Sequence, residues 1–210
     1  MRYQEINIKE RIKIEKAEIS LRGRRYKKYR ADWYRAENDG YLPLQPLNVD
    51  IELSDACNLR CKMCVHGSDA VENKKFGFMN KGLVIKLVDG CAQAGVCSIK
   101  FNWRGEPTLN PFLPAAIKYA KHKGILEVQI NTNGLPSKKD ILIECAKSGI
   151  DRIIFSVDGF SKTTYEAIRK GGDYGQLLRN IHALLEWKKK NKAARPFVRV
   201  QMVRAKINAH

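Results

Sequence analysis

From about residue 47 onward the chain alternates short apolar runs with amphipathic helical patterns, and this alternation restricts it to very few folds. The runs at residues 47–53, 98–103, 126–131, 152–157 and 197–203 have the length and composition of strands. Between them lie helical patterns with readable starts and stops. Asn80 caps a helix whose stripe is Val84, Leu87, Val88 and Cys91, and Gly95 ends it. Asn110-Pro111 opens the next, with proline at the first helical position, and Gly124 closes it. Ser137 opens a third that ends at Gly149. A short helix near residues 164–170 follows, then a longer one from Tyr174 with Leu177, Ile181, Leu184 and Leu185 on one face. A repeated strand–helix order implies a parallel sheet with right-handed crossovers. The pattern leaves two closures open, a doubly wound sheet and a curved barrel. In both, ligands gather at the C-terminal ends of the strands.

Residues 1–46 read differently, as a basic helical extension from Glu5 to about Glu37 with aromatics at Tyr26, Tyr29, Trp33 and Tyr34. Asp39-Gly40 then turns the chain, and Pro43 and Pro46 force it extended. The expected division is therefore residues 1–46 and residues 47–210. The formal charge of +17 is concentrated at the two ends of the chain. Such charge attracts nucleic acid or anionic surfaces, but no basic cluster is interleaved with a stacking motif, so solvated helix faces are the plainer reading. No apolar run approaches the length of a membrane span, and the N-terminus lacks a secretory signal. The expected location is the cytoplasm, where six cysteines are ligands or core residues rather than disulfides.

Cys57, Cys61 and Cys64 follow the first strand with the spacing C-x₃-C-x₂-C. Three thiolates this close can hold three corners of an iron–sulfur cubane and leave the fourth iron without a protein ligand. Zinc is the alternative, but it usually takes four ligands as two separated pairs. His66, the nearest fourth ligand, would be a cramped chelate. Cys91, Cys97 and Cys145 read as small core residues.

The loop Cys57-Asn58-Leu59-Arg60-Cys61-Lys62-Met63-Cys64 resembles the cluster loop of the radical S-adenosylmethionine (radical SAM) superfamily. Further motifs follow in that family's order. Arg104-Gly105-Glu106-Pro107 resembles its Gly-Gly-Glu-Pro segment, which implies that Gly105 and Glu106 receive the amino group of the cofactor's methionine. Strand three ends in Asn131-Thr132-Asn133-Gly134 and strand four in Ser156-Val157-Asp158-Gly159. Both are similar to the subgroup that carries C-terminal auxiliary clusters and includes peptide and protein maturases. The resemblance assigns Ser156, with Asp158 as second choice, to the ribose or carboxylate, and directs Asn131 and Asn133 to cofactor or substrate. It makes Arg169 the neutraliser of the methionine carboxylate, and points Gln201 on strand five toward the cofactor or substrate.

The resemblance implies a partial parallel TIM-like (β/α)6-type barrel with about five βα units present. It implies a four-iron four-sulfur cluster and S-adenosylmethionine as cofactors, and a low-potential electron donor of flavodoxin or ferredoxin type as partner. The implied reaction is reductive cleavage of the cofactor to a 5′-deoxyadenosyl radical that abstracts hydrogen from a substrate, with a peptide or protein the first expectation. The family core has six units, so the chain reads as incomplete at its C-terminus, because ending there exposes a sheet edge. Two rival readings stand beside this one. One is a truncated or inactive cluster-binding protein, and the other is a nucleic-acid-binding protein built on a zinc knuckle.

Overall fold

Each of the five expected runs forms a strand in the computed structural model of the chain, which describes residues 13, 16, 18–20, 22–67, 76–138 and 140–208. The strands are β1 (Asn48–Asp50), β2 (Ser98–Lys100), β3 (Glu127–Thr132), β4 (Arg152–Ser156) and β5 (Phe197–Gln201). All pair in parallel, and their order across the sheet is their order in the chain. A doubly wound sheet reverses direction at a switch point. This one advances in a single direction, as a barrel wall does. It does not close, because β1 and β5 are both edges.

The strands divide polarity by face, since side chains alternate along a strand. Ile99 and Phe101, Val128 and Ile130, and Ile153, Phe155 and Val157 are buried in one core with the helices. The residues between them face the opposite way and are mostly polar. In register they form rungs: Asp50 beside Lys100 beside Gln129, and Asn131 beside Ile154 beside Arg199. Asp50 and Lys100 are ion-paired at 2.7 Å on that face. The sheet thus has an apolar side that holds the fold and a polar side available to ligands.

The covering helices in chain order are α2 (Lys81–Gln93), α3 (Leu113–His122), α4 (Ile141–Lys147), α5 (Lys162–Ile168) and α6 (Tyr174–Lys190). Asn80 caps α2, its side chain accepting from the Leu83 amide at 2.9 Å. Gly95, Gly124 and Gly149 follow α2, α3 and α4 with positive φ. Val84, Val88 and Cys91 are buried, but Leu87 is 37% exposed, because a stripe at i, i+4 and i+7 leaves i+3 at its margin. Leu185 on α6 is exposed in the same way beside buried Leu177 and Leu184.

Two helix starts differ from expectation. Helix α3 begins after the Asn110-Pro111 turn, since Asn110 accepts from the Phe112 amide and donates to the Leu53 carbonyl, tying the turn to the segment that follows β1. Helix α4 begins at Ile141 rather than near Ser137, because Asp140 sits at φ +67° and breaks the path. Of the remaining cysteines, Cys91 and Cys145 are core residues, while Cys97 is only half-buried. At the N-terminal ends of the strands, buried Asp151 accepts from the Val128 amide, Lys121 and Arg195 at 2.6–2.8 Å.

The chain divides into two compact units, Met1–Leu47 and Asn48–His210. In the first, helix α1 spans Gly23–Asn38. Tyr26 and Tyr29 are buried and meet edge to face at 5.5 Å between ring centres. Arg24, Arg25, Lys27 and Lys28 are exposed, in keeping with a solvated basic face. The part of the expected extension from Glu5 to residue 12 lies outside the described residues, as does His210.

Candidate active site

The cysteine loop begins where β1 runs out, and three distant segments hold it. The Glu106 amide donates to the Ala56 carbonyl at 2.8 Å, the Arg60 amide to Lys170 at 2.9 Å and the Lys62 amide to Ile168 at 3.0 Å. Asn58 donates to the Leu135 carbonyl at 2.7 Å. The ends of β2 and β3 and the end of α5 are therefore bonded to a loop that has no regular structure of its own.

Donors surround two of the three sulfurs. The Leu59 amide lies 3.5 Å and Asn133 Nδ2 4.0 Å from Cys57 Sγ, and Arg169 Nη1 lies 3.9 Å from Cys61 Sγ. Burial pushes the Cys57 thiol up to about 11, against the pull of the Leu59 amide, while Glu106 and the other two cysteines raise it further. Burial raises Cys61 too, opposed by Arg169. Cys57 and Cys61 therefore favour the neutral thiol until a metal displaces the proton.

This donor set fits an iron–sulfur cluster. The thiols are near enough to perturb one another, and nitrogen donors aim at sulfur, as in proteins that tune such clusters. Among the described residues no three His, Cys, Asp or Glu side chains gather as they would around one ion. His66 is buried against the ring of Phe76 at 5.0 Å.

Glu106 is the keystone of the strand ends. Only 3% exposed, it accepts at Oε1 from the Thr108 amide and hydroxyl and from the Thr132 hydroxyl, and at Oε2 from the Asn133 amide, at 2.7–3.1 Å. Burial raises its carboxyl, and these donors oppose the rise. Asn133 passes the order on, since its Nδ2 donates to Asn58 at 2.8 Å and faces Cys57. Asp158 is buried and grips Arg169 through Oδ2, at 2.8 Å from Nε and 2.6 Å from Nη2. Its Oδ1 accepts from the Val203 amide at 2.8 Å. Cys57, Glu106 and Asn133 thus form one connected group, and Cys61, Asp158 and Arg169 another.

Ser156 and Gln201 are neighbours in register on the polar face, with Gln201 exposed. Asn131 lies on the same face, where its Oδ1 is shielded from solvent without a hydrogen-bond partner. Among the described residues no side-chain hydrogen bond joins these three to the cysteine groups. A cavity of about 300 Å³ lies beyond Asp158, between Phe160, Ser161 and Thr164 and the residues Met202, Ile207 and Asn208.

Gly105 sits where two chain segments nearly touch. A Cβ there would lie 1.9 Å from the Ser54 carbonyl oxygen and 2.8 Å from that of Ala56. Gly105→Ala is expected to cost about 1–3 kcal/mol by overpacking and to displace the cysteine loop. Urea titration and iron uptake measured on the same sample check both effects.

Sequence reasoning missed Glu52, whose Oε1 accepts from the Arg104 and Gly105 amides at 2.7 and 3.0 Å and fixes that turn. It also missed Asn102, which accepts from the Asn131 amide at 2.8 Å. The available signal for Glu52 was the polar alternation Asn48, Asp50, Glu52 within the first run.

The sequence profile of the radical SAM superfamily matches residues 51–194. A GTP 3′,8-cyclase of Limosilactobacillus fermentum is 31% identical over 135 residues, covering 63% of this chain and 40% of that protein. The chain spans about two fifths of the length of the curated relatives it matches. SuiB of Streptococcus suis bound to S-adenosylmethionine superposes with a TM-score of 0.62 at 19% identity, covering 94% of this chain and 45% of SuiB. SuiB bound to precursor peptide SuiA gives 0.62 at 18% identity, over 87% of this chain and 37% of SuiB. These superpositions bring the same partial barrel from another sequence.

Proposed function

The chain belongs to the radical SAM superfamily, and from that premise we propose that its cysteine loop holds a four-iron four-sulfur cluster at which S-adenosylmethionine is reductively cleaved. The observation that supports this most is the convergence of a three-thiol loop, donor groups aimed at two of its sulfurs and the ends of β2, β3 and α5 in one place. When bound, the cluster and cofactor supply one-electron cleavage to a 5′-deoxyadenosyl radical that takes a hydrogen atom from the substrate.

The protein's own residues position and shield. Cys57, Cys61 and Cys64 hold the cluster. Glu52 holds the turn at Gly105, and the Gly105 backbone and the Glu106 carboxylate would receive the cofactor's amino group. Glu106 also ties β2 to β3, and its Oε2, with one hydrogen bond from the Asn133 amide, keeps a lone pair to spare. Asp158 fixes the Arg169 guanidinium, which supplies positive charge beside Cys61 and the cofactor's carboxylate. Asn131, Asn133, Ser156 and Gln201 present polar groups to cofactor or substrate, and the polar rungs exclude a purely hydrocarbon ligand from that wall. Electrons come from a flavodoxin- or ferredoxin-type donor.

For the substrate, a peptide or protein is our first reading, on the ends of strands three and four and the likeness in fold to SuiB. A nucleotide is the second, favoured by the sequence match to GTP 3′,8-cyclase. The test is anaerobic reconstitution with iron and sulfide, addition of dithionite and S-adenosylmethionine, and chromatography for 5′-deoxyadenosine. Its formation is the expected result, and stimulation by peptide or by GTP separates the substrates. A brown protein that forms none supports the inactive cluster-binding reading instead. A colourless, zinc-loaded protein refutes the proposal.

A further inference from the structure

The cysteine loop carries exposed positive charge that no described acid balances. Arg60, Lys62 and Lys170 are all exposed. The Arg60 amide is bonded to the Lys170 carbonyl and the Lys62 amide to the Ile168 carbonyl, so the three cations stand on two segments joined side by side. The Arg60 guanidinium folds back on the loop, where its Nη1 donates to the carbonyls of Cys57 and Leu59 at 2.8 and 3.0 Å. Among the described residues its Nε and Nη2 make no bond, and neither do the two ammonium groups.

The described acids that flank these segments in the chain are engaged elsewhere. Asp158 is bonded to Arg169 and Glu166 to Lys162. Asp55 accepts from the Gly77 amide, and Asp173 caps α6 through the Gln176 amide. Val65, in the turn that follows Cys64, adds an apolar side chain that is 39% exposed. Cys57 and Cys64 are only half-buried, so a cluster on this loop lies close to the surface that bears these groups.

That combination selects a partner. A cluster that cleaves S-adenosylmethionine receives one electron from outside for each cleavage, and electron transfer weakens steeply with distance. A carrier must therefore approach the loop itself. Cations beside an apolar contact attract an acidic face and steer its approach. Electron-transfer encounters bury little surface, less than about 1,200 Å². A patch this small suits a carrier that arrives, passes on its electron and leaves.

We propose that Arg60, Lys62 and Lys170, with Val65 beside them, form the docking surface for an acidic one-electron carrier, which is oxidised by one electron as the cluster is reduced by one. The inference rests on the cluster reading above.

The test uses the reconstituted protein and a flavodoxin of net negative charge. Calorimetry with oxidised flavodoxin measures docking, and stopped-flow absorbance with its hydroquinone follows reduction of the cluster. Docking is expected to weaken as salt is raised, since screening acts on exposed charges. Lys62→Glu with Lys170→Glu is expected to keep its iron and to lose about tenfold in affinity and in rate. Its reduction by dithionite, which needs no docking surface, is expected to stay within about twofold of the wild type. Lys189→Glu with Lys190→Glu makes the same change of charge at the exposed end of α6, and is expected to dock within about twofold of the wild type. Lys62→Gln with Lys170→Gln, which removes charge without reversing it, is expected to lose less than the glutamate pair. Equal losses in the two glutamate variants would show that net charge alone attracts the carrier, and would overturn the inference. Equal slowing with dithionite also overturns it, because the cluster site itself would then be damaged. Unchanged docking and reduction in the iron-loaded loop variant overturn this inference alone. Failure of the wild type to take up iron overturns the cluster reading and this inference together.

Discussion

Alanine at Cys57, Cys61 and Cys64 together is expected to give a colourless protein that takes up no iron and forms no 5′-deoxyadenosine, while Cys91→Ala and Cys145→Ala proteins retain both. The six thiols differ in their neighbours. Cys91 and Cys145 are surrounded by the apolar core, and burial alone raises the Cys91 thiol. Truncating either removes packing, at about 1–2 kcal/mol. Cys57 and Cys61 face an amide, an asparagine nitrogen and a guanidinium, groups that a sulfur in the core does not meet. Iron content, visible absorbance and cofactor cleavage, measured across these variants, separate the two classes. Iron retained at wild-type stoichiometry in the triple variant would falsify the assignment of the loop.

Glu106→Ala is expected to destabilise the protein by about 3–5 kcal/mol, the largest change from any single truncation near the site. Four donors, from Thr108, Thr132 and Asn133, converge on its two oxygens. Alanine would leave all four without an acceptor in a place water scarcely enters. The damage would also travel, because Asn133 joins Glu106 to Asn58 and faces Cys57. Glu106→Gln keeps the shape but turns an amide toward at least one of the same donors, and about 1–3 kcal/mol is expected for that mismatch. Urea unfolding monitored by circular dichroism ranks the three proteins. Near-equal stability of wild type and alanine variant would show that the carboxylate does not organise the strand ends.

The strands were legible because each is a short run with apolar residues at alternate positions, a period that a helix does not share. Leu87 and Leu185 show where legibility failed on the helices: an apolar residue at the margin of a stripe reads like one at its centre. Asp140 shows the same limit at a helix start, since its left-handed backbone is not forced by its own residue type. The functional residues split similarly. The cysteines declare themselves by spacing, whereas Glu52 resembles any acid at a strand end until the Arg104 and Gly105 amides are seen to meet it. Glu106 was legible as a candidate but its hydrogen-bond partners were not, because a motif gives the residue and not what it touches.

The ties between Arg60 and Lys170 and between Lys62 and Ile168 set a timetable. The cysteines leave the ribosome soon after β1, but the carbonyls that brace their loop follow β4, and strands that pair in chain order assemble one after another behind them. Four of the five strands therefore precede the segment that completes the bracing of the loop. The Glu106 amide and the Leu135 carbonyl hold the loop earlier in the chain, and its bracing gains the two bonds to Ile168 and Lys170 only when α5 arrives.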